Sequence, residues 1–293
     1  MKWIEPSLEA ITTTNVIYFD KDFENTCRRV CKILDIDLFP LFNSDCAMTL
    51  HKGRWIRQPV KDCHKINNNT LIFDRSVIEK MDNAPSNILF VYDEQNSFFG
   101  IVHFTDFHKQ IVYQSLYQNF YEFETNIREY LTLLGFKYYD FENYYEYKIK
   151  KDISDYYLKR LALLRNPRFR EEADKLANLQ KLELREKLLF MKSSYHKGKD
   201  KTLPLNFKNI DSISELRNII MHSKDFTGHT ADIPHDYKTF KNFFNAVKDF
   251  KDGFLFIKNL RQKQLEENQQ KFNSSRLAQL ERMSDAEIEL FFY

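Results

Sequence analysis

Two regimes of hydrophobic patterning divide the chain. Up to about residue 110 the apolar runs are short and β-like: Val16-Ile17-Tyr18-Phe19, Leu38-Phe39-Pro40-Leu41-Phe42, Arg54-Trp55-Ile56, Leu71-Ile72-Phe73, Ile88-Leu89-Phe90-Val91-Tyr92 and Phe98-Phe99-Gly100-Ile101-Val102. Helical spacing falls between them, from Phe23 to Leu34 and from Ser76 to Met81. The stretch after Phe42 reads as a polar break. The acid- and amide-rich Asp93-Glu94-Gln95-Asn96, set between two apolar runs, predicts a hairpin turn. The order strand, helix, strand pair returns after roughly 55 residues, which predicts an internal duplication.

From Thr105 onward the period changes to that of helices. Thr105 to Leu134 reads as one long helix, with Phe107, Ile111, Leu116, Phe120, Phe123, Ile127 and Leu131 along one drifting stripe and Gly135 as its C-cap. Ile153 to Lys192 is helical with a break at Asn166-Pro167, because proline disfavours helix in the residue before it. Ser194 to Asn206 is a Lys-rich loop. Asp211 to Ser223 predicts a short helix and Asp236 to Glu267 a long one. Ser284-Asp285-Ala286-Glu287 has a capping-box pattern ahead of Ile288 to Tyr293. The expected fold class is therefore an α+β region over 1–110 followed by an all-α bundle over 111–293.

Composition narrows the classes. The 293 residues carry 44 Lys+Arg against 42 Asp+Glu, a net charge of +2, which argues against a polyanion-coating protein but leaves room for one local basic patch. The 27 Phe and 16 Tyr imply cores built from large planar rings. No apolar run approaches the ~20 residues that span a bilayer. The start, Met1-Lys2-Trp3-Ile4-Glu5-Pro6, has no apolar signal core, so a cytoplasmic, membrane-free protein is expected. Cys27, Cys31, Cys46 and Cys63 are expected to be reduced thiols; Cys27 and Cys31 lie one turn apart, but no CxxC or paired His completes a zinc site. No metal is expected, and no cofactor is required.

The sharpest chemical pattern is Ile213-Ser214-Glu215-Leu216-Arg217-Asn218-Ile219-Ile220-Met221-His222-Ser223. Ile213, Leu216 and Ile220 form an apolar stripe that anchors a helix. Asn218 and His222, one turn apart, share the opposite face with Glu215 and Asp225. Arg217 lies about 140° around from His222 and can swing toward the same side. Such a set suits metal-free RNA cleavage: His222 moves a proton at near-neutral pH, Arg217 holds a phosphate oxygen bidentately, and Asn218 orients the imidazole or donates to the phosphate.

Arg217-Asn218-Ile219-Ile220-Met221-His222 resembles the motif of the HEPN superfamily, whose ribonucleases carry Arg, a polar residue and then His on a helix of an all-α bundle. The flanking order is similar too, with a long first helix containing Phe123-Glu124-Thr125-Asn126-Ile127-Arg128-Glu129. The resemblance implies a homodimer with two motifs facing across the interface. It also implies an acidic accessory residue on the first helix, for which Glu124 is the candidate. Glu124 and Arg128, at i and i+4, can equally form a surface ion pair.

Phe90 to Asp106 resembles the end of a CBS domain: a strand, an acidic turn, a Gly-hydrophobic-hydrophobic strand and a terminal Asp. Asn15 to Phe42, with Pro40, resembles the start of another copy, so the likeness covers about residues 8–110. It implies an adenine nucleotide as regulatory ligand, with Asp106 on the ribose, Gly100 admitting the backbone and His103 at the phosphate-facing position. His51 to Val60 lacks the motif, so one site per pair is expected. Asp106 is also explained as a helix cap, in which case the pair is a scaffold or dimerisation module.

The expected function is thus a metal-independent endoribonuclease acting by acid–base transesterification, gated through the CBS-like pair. Its partners are RNA, a second copy and a regulatory nucleotide or antitoxin, in a toxin or antiviral-defence role. The alternative is a non-catalytic nucleotide-sensing or RNA-binding protein. His229 and His235 read as loop residues, and Lys192, Lys197, Lys199 and Lys201 as a solvated loop or an RNA guide. Phe291-Phe292-Tyr293 is expected to pack on a partner or on the bundle.

Overall fold

The structure, a computed structural model, describes residues 2–34, 36–42, 44, 46–151, 154–174, 179–193, 209–222 and 236–283. The predicted features over 194–206 and 284–293, and at Asp225, His229 and His235, lie outside the described residues. The chain forms two compact units: a mixed unit of Lys2–Asn119 with Glu215–Lys248, and a helical unit of Phe120–Ser214 with Asp249–Tyr293. The division falls within three helices named below. Strands are confined to the front of the chain, and beyond His103 the described residues hold helices and no strand.

In the mixed unit, α1 (Glu24–Leu34) precedes an antiparallel meander of β1 (Leu38–Pro40), β2 (Cys46–His51) and β3 (Arg54–Pro59), in the order β1-β2-β3. His51 pairs with Arg54 across a two-residue turn in which Lys52 (φ 48°) and Gly53 (φ 77°) are both left-handed, the conformation that matches the twist of the flanking strands. The expected polar break is therefore where β2 runs. Its alternating burial carries few β-branched or aromatic residues and gives a weak strand signal. Val16 to Phe19, expected as a strand, joins no ladder; the Phe19 amide donates to the Pro40 carbonyl at 2.8 Å.

A second sheet has the order β4-β5-β6. β4 (Lys65–Asn67) runs parallel to β5 (Ile88–Tyr92) through α2 (Arg75–Asn83), and β6 (Phe98–His103) is antiparallel to β5. Every residue of β5 is buried, as its unbroken apolar run implies for a central strand. Leu71 makes only a lone bridge to Ser7, not the predicted strand. The two sheets do not repeat one another: the first is wholly antiparallel and the second contains a parallel pair. Leu38, Ala47, Ile88, Phe90 and Tyr92 share one core cluster, while Cys27, Cys31 and Phe39 form another under α1.

The predicted single helix from Thr105 is interrupted. A 3-10 segment, Phe104–His108, comes first, and α3 (Gln110–Leu133) starts after Lys109. The His103–Asp106 cap sets this earlier start, and Lys109, with ψ 142°, breaks the helical path. At its far end, Gly135 (φ 74°) donates to Thr132 O at 2.8 Å and Phe136 to Leu131 O at 3.0 Å, the expected glycine C-cap. The front core closes on rings: Phe73, Phe107, Phe240 and Phe244 meet at 4.9–6.4 Å between centroids.

The helical unit contains α4 (Tyr138–Lys151), α5 (Asp155–Arg165), α6 (Pro167–Asp174) and α7 (Leu184–Lys192), together with parts of α3, α8 (Ile210–His222) and α9 (Tyr237–Leu280). The break at Asn166-Pro167 stands between α5 and α6. Phe120 stacks on Phe250 at 3.8 Å, and Phe141 on Phe190 at 4.0 Å. Beneath the tyrosine-rich α4, Glu186 is wholly buried. It accepts two bonds from Arg160, at 2.6 and 2.5 Å, one from the Tyr145 hydroxyl and one from the Glu183 amide at 2.7 Å.

Candidate functional site

α8 carries the Arg-x4-His motif on its C-terminal half. The helix begins after Asn209, whose carbonyl accepts from the Ile213 amide at 3.1 Å and whose side chain donates to Asp249 at 2.5 Å. Arg185 of α7 pairs with Asp211 at 2.9 Å, and the Ser214 hydroxyl folds back onto Ile210 O. Ile213, Leu216 and Ile220 are each at most 2% exposed, so the apolar stripe read from the sequence is the buried face. Glu215 and Asn218 are exposed and Arg217 is half-buried. Arg217, Asn218 and His222 thus lie on one helix within six positions, and His222 is its last residue.

Glu124 sits on α3 with its carboxylate 3.8 Å from the ammonium of Lys187. Lys187 is fully buried and donates to Leu182 O at 2.7 Å. Arg128 donates instead to the Thr125 hydroxyl at 2.9 Å. Among the described residues, Glu124 thus pairs with a cation on α7 and not with Arg128 one turn along its own helix.

The structure brings Gly100, His103 and Asp106 together, and it uses all three to hold the chain itself. A Cβ at Gly100 would sit 2.5 Å from Thr13 O and 2.6 Å from Thr12 Cγ2. The glycine thus admits the 12–13 segment, in which Thr13 exchanges backbone hydrogen bonds of 2.9 and 3.1 Å with Ile101. One Asp106 oxygen accepts from the Thr13 hydroxyl at 3.0 Å and lies 3.0 Å from the Lys109 ammonium. The other accepts the His103 amide at 2.8 Å. His103 Nδ1 is 2.8 Å from the Thr105 hydroxyl, and burial lowers the pKa of its ring against the opposing pull of Asp106.

Among the described residues, two cavities have linings that include none of these candidate site residues. One of about 510 Å³ in the mixed unit is lined by Tyr18, Pro40, Leu41, Ser44, Tyr92 and Phe98, among others. The other, about 410 Å³ in the helical unit, lies between α3 and α9 at Arg128, Glu129 and Arg261. Neither was legible beforehand, because each gathers residues distant in sequence. Among the described residues, no three His, Cys, Asp or Glu side chains are grouped so as to hold a metal ion. Among them, too, no helix is long and apolar enough to cross a membrane.

No protein-family model, no curated protein and no solved structure matches the chain.

Proposed function

We propose that the protein is a metal-independent endoribonuclease of HEPN type, with Arg217, Asn218 and His222 of α8 as its catalytic residues. The observation that supports this reading is α8 itself: its apolar stripe is buried, Asn218 is left exposed on the other side, and Arg217 and His222 flank it at motif spacing. In this mechanism His222 takes the proton of the attacking 2′-hydroxyl and returns one to the leaving 5′-oxygen, while Arg217 offsets charge on the phosphate. Glu124, which pairs with Lys187, is proposed as an accessory acidic residue.

The working form in this reading is a cytoplasmic homodimer, since one chain supplies one motif and a symmetric interface supplies the second. The front sheets act as the regulatory part, and a toxin or antiviral role under the control of an antitoxin or nucleotide follows from the resemblance. An adenine nucleotide has to compete with Thr13 and Lys109 for Asp106, and calorimetry with ATP and AMP tests for it.

The deciding experiment uses purified wild type, Arg217→Ala and His222→Ala on total RNA in EDTA. Wild type should cleave and leave 2′,3′-cyclic phosphate ends, and each variant should lose at least ~100-fold in rate. Activity that requires added Mg²⁺, or survives in His222→Ala, overturns the assignment. RNA binding without cleavage points to a non-catalytic RNA-binding protein.

A further inference from the structure

Residues 46–61 contain Lys52, Arg54, Arg57 and Lys61, together with His51, and not one Asp or Glu. In a chain whose charges nearly balance, this is a local excess, and the fold concentrates it. The span is the β2–β3 hairpin, whose tight turn projects Lys52 and whose outer strand β3 is the free edge of its sheet. Lys52, Arg54, Arg57 and Lys61 are all exposed. Successive strand residues point to opposite faces, so Arg54 and Arg57 flank the free edge from both sides. Alternate residues along that edge also turn their backbone N–H groups outward, away from the ladder.

The neighbouring helix adds to the same surface. Arg28 of α1 donates to Gly53 O at 2.7 Å, lies 5.8 Å from the Trp55 ring centroid and is braced by Glu24 at 2.6 Å. This fastens α1 to the hairpin and leaves the next residue, Arg29, exposed. Among the described residues, no carboxylate pairs with Arg29, Lys52, Arg54 or Arg57. Lys52 on the turn and Arg54 and Arg57 on the edge strand, with no carboxylate partner among the described residues and beside outward amide donors, complement a chain of phosphates more closely than a single small anion.

We propose that the β2–β3 hairpin, with Arg29 of α1, is a docking surface for the phosphodiester backbone of single-stranded RNA. The proposal rests on the ribonuclease reading: the hairpin holds the strand while α8 performs the chemistry. Recognition here is of backbone charge and is independent of base sequence.

The test uses full-length protein carrying His222→Ala, so that RNA is not consumed, and measures anisotropy of a labelled single-stranded RNA across a salt series. Lys52→Gln/Arg54→Gln/Arg57→Gln should weaken binding at least ~10-fold near 0.1 M salt. It should also flatten the log Kd against log salt slope by about 2, since each lost phosphate contact on a single strand removes roughly 0.7. Arg54→Lys/Arg57→Lys should keep most of the affinity. All three side chains are exposed, and an unchanged thermal midpoint verifies the fold. Equal affinity and slope in the triple variant overturns the proposal, as does tighter hairpin-dependent binding to phosphatidylserine vesicles than to RNA. Failure of the two readings is separable. Hairpin-dependent binding without wild-type cleavage defeats the nuclease assignment alone, and cleavage with hairpin-independent binding defeats the docking surface alone.

Discussion

Removing Arg160 isolates the energetics of a buried carboxylate, Glu186. The Glu186 side chain has no solvent exposure and Arg160 is 15% exposed, so bulk water can screen neither member well. Glu186 is bonded bidentately by Arg160 and also takes the Tyr145 hydroxyl and the Glu183 amide. Arg160→Met keeps the apolar stem while leaving the carboxylate buried without its cation, a loss of about 3–5 kcal/mol. Midpoints shift roughly 2–4 °C per kcal/mol at this size, so the expected fall is on the order of 10 °C. The double variant Arg160→Met/Glu186→Leu removes both charges and still strands the Tyr145 hydroxyl and Glu183 amide, at about 1–3 kcal/mol each. Its loss should therefore be smaller than the sum of the two single variants by at least ~1.5 kcal/mol. Urea unfolding followed by far-UV circular dichroism measures all three. A cost below about 1 kcal/mol for Arg160→Met, the value of an exposed pair, would refute the desolvation argument.

Two further expectations concern the front of the chain, where both tryptophans, Trp3 and Trp55, report by fluorescence. Gly100→Ala forces a Cβ against the Thr13 carbonyl and should cost about 1–3 kcal/mol; a neutral effect would show that the 12–13 segment yields freely. Burial lowers the pKa of His103 in the folded state, so the unfolded chain binds the proton first. Its contribution to stability is present above the ordinary value of about 6.5 and is lost as pH falls toward the folded value. His103→Asn keeps a cap acceptor and should flatten the stability loss below that pH; an unchanged slope removes His103 from the account, since His64 shifts in the same direction.

Local patterning determined much of the element list. The run Ile88–Tyr92 forms β5, the acidic turn joins it to β6, and the Asn166-Pro167 break and the Gly135 cap stand where the sequence puts them. The same holds for the buried stripe Ile213, Leu216 and Ile220, because a side chain's period along its own helix or strand decides which face can leave water. What the period could not convey were contacts between distant positions. α4 is rich in tyrosine, a residue type that favours strands, yet it is a helix whose Phe141, Tyr144 and Tyr145 meet residues of α7.

Asp106 is the clearest case. From sequence alone its carboxylate could be read as a ribose acceptor or as a cap; only the fold delivers Thr13 from 93 positions away and sets Lys109 beside it, engaging both oxygens within the chain. Glu124 likewise has its cation on α7, where burial strengthens the attraction, and not one turn along α3, where water screens it. The sequence by itself set which residues could carry charge, cap or cleave. Tertiary structure decided which of them were already occupied, because occupancy is a distance, and distance between remote residues is fixed only when the chain packs.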